Sequence, residues 1–114
     1  FNYIVQTELN QRADVWLNFM TNKHAKDIMA TGLIKSFSLE EIVEIDGAAI
    51  ESEENPQFIA RYTFFSKEDF SKYAQEHGPR LKQDYLKNCG KYTKSAKRIT
   101  SQVLTQDVAI IKKE

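Results

Sequence analysis

The chain has 114 residues, 41% of them hydrophobic and 28% charged, which fits one globular domain with a core of its own and excludes dependence on disulfides or a structural metal. Acidic and basic residues number 16 each, and the net charge of +0 excludes the basic surplus on which a general nucleic-acid binder relies. The single cysteine, Cys89, rules out an internal disulfide and points to a reducing compartment. No apolar run approaches the ~20 residues that span a bilayer, so no membrane partner is expected. With no signal-peptide pattern in a chain that opens on Phe1 rather than Met, the default location is cytoplasmic.

Phe1 to Glu8 reads as a strand, because Phe1, Tyr3 and Val5 alternate with Asn2, Ile4 and Gln6. A helix is expected from about Gln11 to Met29, where Ala13, Trp16, Leu17, Met20, His24 and Ile28 recur at helical spacing. Thr31-Gly32 stops it, with Gly32 suited to a left-handed cap. Leu33 to Ile45 returns to period two, with Leu33, Phe37, Leu39, Val43 and Ile45 on one face. Asp46 to Gln57 is an acidic connection with turn signals at Asp46-Gly47 and Asn55-Pro56. Phe58 to Phe65 is the strongest strand, and its apolar groups on both faces imply that both are at least partly covered.

Ser66 caps a second helix, with Asp69 completing an imperfect capping box. Phe70, Tyr73, Ala74, His77, Leu81 and Tyr85 form its inward stripe, and Gly78-Pro79 should kink or break it. A polar strand over Lys91 to Val103 follows, with a tail from Leu104 to Glu114. The order βαββαβ over residues 1–103 has one economical solution. That solution is a ferredoxin-like α+β domain, a four-stranded antiparallel sheet with both helices on one face. The opposite face would carry Ile4, Ile59, Phe65 and Ile99, and covering it predicts a homodimer whose two sheets face each other, a dimeric α+β barrel.

Two stretches carry a family resemblance. Trp16-Leu17-Asn18-Phe19-Met20, with His24 and Asp27-Ile28-Met29-Ala30-Thr31-Gly32-Leu33, resembles the first helix of domain-of-unknown-function family 4286. Tyr62 to Phe70, then His77-Gly78-Pro79-Arg80-Leu81 and Gly90-Lys91-Tyr92, resembles its third strand, second helix and end. The resemblance runs from about Asn2 to Val103 and implies the dimeric α+β barrel group, with no assigned activity. Tyr85 stands where relatives often carry another histidine, which counts against a metal site, and Gly78 where alanine is common.

The candidate ligand-binding residues are His24, Asp27, His77, Arg80, Trp16 and Tyr73. Both histidines fall on or beside an apolar stripe, where a polar group is costly unless satisfied, and neutral imidazole suits acid–base work or metal binding. Equally, each ring could simply hydrogen-bond a carbonyl or a neighbouring acid, Asp27 or Glu76. His24-x-x-Asp27 alone is a weak metal signal. A helix restarting at Pro79 would offer free amides and the Arg80 guanidinium to an anion, unless Arg80 pairs with Glu76 or Asp84 one turn away. Trp16, Phe70 and Tyr73 read as core first and as an aromatic pocket second. Lys87, Lys91, Lys94, Lys97 and Arg98 read as a solvated helix end and edge strand, and Cys89 as an idle thiol.

No glycine-rich phosphate loop, nucleophile elbow or paired-cysteine zinc spacing is present, so no cofactor is expected. Three readings remain: a dimer binding a small molecule between sheet and helices, an enzyme of the cofactor-independent oxygenase or haem-binding kind by analogy with the barrel group, and an interaction module without a ligand.

Overall fold

The structure, a computed structural model, describes residues 1–105, so the expected tail lies, beyond its first two positions, outside the described residues. Strand β1 (Asn2–Leu9) leads into a helical run of three pieces, α1 (Asp14–Asn18), a π-helical turn (Phe19–His24) and α2 (Ala25–Met29). Strand β2 (Ile34–Ile42) is followed by a small hairpin, β3 (Glu44–Ile45) and β4 (Ala48–Ala49), and then by β5 (Gln57–Phe64). Helices α3 (Lys67–Glu76) and α4 (Gly78–Cys89) and a short 3-10 turn lead to β6 (Thr93–Ser101).

The four long strands form one antiparallel sheet in the order β2-β5-β1-β6, and the helices cover one of its faces. This is the expected ferredoxin-like α+β arrangement. Alternation decides which side chains point inward: Phe58, Ala60, Tyr62 and Phe64 of β5 are buried, and Thr7 and Leu9 of β1 join them. Trp16, Phe19 and Ile28 close the core from the first helical run, the indole lying 4.6 Å from the Phe58 ring between centroids.

Local chemistry explains the joints. Gly32 ends α2 at φ +74°, the left-handed region where a side chain is strained. Asp46 and Gly47 both take positive φ, 51° and 79°, which a two-residue hairpin turn demands, and so the expected long strand stops at Ile42 and a hairpin replaces its end. Ser66 Oγ accepts from the Asp69 amide at 3.1 Å and caps α3. Pro79 stands in the first turn of α4, where its missing donor costs nothing, so the second helix is two helices.

Two sequence expectations shift. The first helix begins at Asp14 rather than Gln11 and takes in an extra residue per turn over Phe19–His24. In β2 an irregular register between Ile34 and Ser36 turns Ile34 inward as well as Phe37 and Leu39, while Val43, past the strand end, is exposed. The outer sheet face carries Ile4, Ile59 and Ile99 as expected, among Gln6, Arg61 and Lys97; Phe65 lies just beyond β5 and is exposed. Among the described residues, no helix is long and apolar enough to cross a membrane.

Candidate functional site

A cleft of about 740 Å³ opens between the sheet and helices α3 and α4. Small side chains make the room. Ala60 on β5, Ala96 on β6, and Ala74 and Gly78 on the helices all border it, so sheet and helices cannot fill the space between them. The remaining wall is dominated by aromatic rings, with Tyr3, Tyr62, Phe70, Tyr73 and Tyr85 on the lining. Tyr3 lies 5.5 Å from Tyr62 and 5.4 Å from Phe70 between ring centroids, so these rings are packed and held rather than free to collapse into the gap.

The polar floor is a pair. His24 Nε2 and Tyr62 Oη are 2.8 Å apart and share a hydrogen bond in the buried layer, His24 being 6% exposed. Burial lowers the His24 pKa to about 4, outweighing the opposing pull of Asp27 and Asp84, so the ring is neutral near pH 7. The same burial holds the Tyr62 phenol well above its ordinary value. Because the π-helical turn ends at His24, its wider winding sets where both Met20 and His24 meet the cleft. Sequence periodicity at 3.6 has no signal for that turn.

A second polar chain braces the wall. Trp16 Nε1 donates to Tyr85 Oη at 3.0 Å, and the Tyr85 and Thr93 hydroxyls lie 2.6 Å apart. Tyr85 thus ties the core indole to the cleft lining, and Trp16, 1% exposed, is a core residue with no place on the lining.

Of the residues singled out in the sequence, His24 and Tyr73 are brought together on the cleft. His77 is half-buried at the break between α3 and α4, its Nδ1 3.1 Å from Arg80 Nη2, and neither residue borders the cleft. Arg80 therefore meets His77, and no ion pair with Glu76 or Asp84 forms. Asp27 and Arg80 share a separate surface recess with Lys23 and Asp84, where Lys23 reaches Asp27 at 3.0 Å and Asp84 at 2.5 Å and clamps the first helical run to α4. Tyr3, Tyr62, Tyr85 and Arg98 were not singled out as site residues. The signal for Arg98 was its parity with Ala96 on β6, opposite Val5, which puts both on the inward face.

Among the described residues no three of His, Cys, Asp and Glu gather as a metal-binding set. Of the two histidines only His24 borders the cleft, and its Nε2 is committed to Tyr62. Cys89 is fully buried, and burial pushes its thiol up to about 11, which removes it as a nucleophile.

The four-stranded antiparallel sheet with one helical layer is a ferredoxin-like α+β fold. The chain belongs to the family described as Domain of unknown function (DUF4286), whose model matches residues 1–103. Similar solved structures include a protein of Arabidopsis thaliana, with TM-score 0.63 and 14% identity over 94% of this chain and 98% of that one. An ethyl tert-butyl ether d (ethd) family protein of Bacillus halodurans gives 0.57 and 12% identity, over 88% and 99%. A proposed antibiotic biosynthesis monooxygenase of Deinococcus radiodurans gives 0.55 and 13%, over 96% and 99%. No curated protein sequence matches the chain.

Proposed function

We propose that this protein binds a small, largely apolar molecule in the cleft between the sheet and helices α3 and α4, with the neutral His24–Tyr62 pair as its polar contact. The observation that carries this reading is the cleft itself. Its volume falls in the range of small-molecule sites, and its walls are aromatic with a few convergent polar groups. Binding is favoured over proton-transfer catalysis for a physical reason. A base of pKa about 4 is roughly a thousandfold weaker than one poised near pH 7, where general bases work best.

The outer sheet face supports a second copy of the chain as the macromolecular partner. Ile4 of β1 and Ile99 of β6 are cross-strand partners, Ile59 of β5 lies on the same face opposite Gln6, and Ile99 is 41% exposed in the single chain. Pairing two such faces removes this apolar surface from water at roughly 25 cal/mol per Å².

Native mass spectrometry of protein purified without added ligand tests both statements. The expected spectrum is a dimer with extra mass, and the Ala74→Trp/Ala96→Trp double variant, which narrows the cleft from helix and strand, loses that mass. A bare wild-type protein whose melting temperature is unmoved by a panel of apolar small molecules overturns the binding reading. A monomer at micromolar concentration overturns the sheet-to-sheet pairing.

A further inference from the structure

The chain as a whole balances its charges, but the cleft does not. Two cations border it, Lys82 from α4 and Arg98 from β6, and no carboxylate lies on its lining. Among the described residues neither cation has an acidic partner within ion-pair distance. Arg98 stands on the inward face opposite Val5, and its charge is felt at the buried Tyr62 phenol, which it favours in the ionised form. Helix α4 also starts at the cleft, through Gly78 and Pro79, so the positive end of its dipole adds to the same field. An exposed guanidinium with no acidic partner among the described residues, beside a pocket of aromatic rings, is complementary to an anion carried on a flat apolar body.

We infer that the ligand of this cleft is an aromatic anion, an aryl carboxylate or a sulfonate-like acid, whose ring system packs among Tyr3, Phe70 and Tyr73 while its charged group meets Arg98, with Lys82 beside it. The inference rests on the cleft being a binding site and goes beyond that reading by assigning the ligand's charge and the residue that reads it. His24 is neutral there and adds no charge of its own, so the selectivity for the anion belongs to Arg98 and Lys82. Arg is suited to the task because its planar fork meets a carboxylate or sulfonate with two parallel hydrogen bonds.

Fluorescence titration with two dyes of one shape separates the possibilities: anilinonaphthalene sulfonate, an anion, and phenylnaphthylamine, its neutral counterpart. The wild-type protein should bind the sulfonate about tenfold more tightly, the scale of one charge-assisted contact. Arg98→Gln should bring the two affinities close to parity, added salt should weaken only the sulfonate, and Ala74→Trp/Ala96→Trp should weaken both. Equal affinities in the wild type, or a preference that survives Arg98→Gln, overturns the anion assignment while the cleft stands if the double tryptophan variant still loses both dyes. Dye binding untouched by the double variant places the dyes elsewhere and overturns the cleft reading together with the inference, as does the failure of both dyes to bind.

Discussion

The two halves of the helix–sheet interface are built differently. Under the first helical run the space is closed, with Trp16 on Phe58 at 4.6 Å, and Leu9 and Ile28 fully buried beside them. Under α3 and α4 it is open, because Ala60, Ala74, Gly78 and Ala96 stand where large side chains would have to meet. One half spends its apolar surface on stability. The other keeps aromatic surface exposed to a gap, a cost to the fold that makes sense when something occupies the gap. His24 and Tyr62 sit on the seam, reached from the π-helical turn on one side and from the centre of the sheet on the other.

Substitutions distinguish the halves most sharply by stability. Trp16→Ala removes the largest buried side chain of the closed half together with its hydrogen bond to Tyr85, so it should cost about 3–5 kcal/mol in urea unfolding, whereas Ala74→Trp in the open half should be near neutral. Comparable losses from both would mean that the gap is packed in solution, and the contrast would disappear.

The seam should respond to acid. The folded-state pKa of His24, about 4, lies below its ordinary value of 6.5, so on acidification the unfolded chain takes up this proton first. Stability present above pH 6.5 is then lost as the pH falls to 4, by on the order of 3 kcal/mol for this group. His24→Gln, which keeps a polar contact for Tyr62 without a titrating ring, should flatten that part of the pH profile; an unchanged slope would show that other groups govern acid unfolding. Tyr62→Phe leaves His24 Nε2 without its buried partner and should cost about 1–2 kcal/mol, read from the shift in denaturation midpoint. The smallest effect belongs to the open half. A Cβ at Gly78 would meet nothing nearer than the Tyr73 carbonyl at 3.7 Å, so Gly78→Ala should raise stability by about 0.5 kcal/mol, and a loss would indicate a crowded helix junction instead.

Much of the fold was legible because it rests on local rules. Period-two alternation in Phe58–Phe65 found β5, Ser66 and Pro79 marked the starts of α3 and α4, and Gly32 and Asp46-Gly47 marked the turns by their need for positive φ. The site was legible only in part. His24 and Tyr73 stood out as polar or aromatic groups on apolar stripes, and both reach the cleft. His77 and Arg80 carried the same kind of signal but meet each other at the helix break, since a short side-chain pair three residues apart satisfies them locally. Tyr62 read as a core strand residue and Arg98 as a solvated cation, and both readings hold, Tyr62 being buried and Arg98 exposed; that the two also border one cleft follows from strand order, with the parity of Arg98 and Ala96 as the one local signal.

By itself, then, the sequence determined the element order, the inward face of each central strand and the family, because alternation, capping and turn chemistry act over a few residues. Only the tertiary structure decided that His24 meets Tyr62 across 38 positions of chain, that Arg98 joins Lys82 at one cleft, and that the helices stand away from the sheet on one side alone. Those outcomes depend on strand order, on one wide turn of helix and on the sum of side-chain volumes across a gap, which no local pattern encodes.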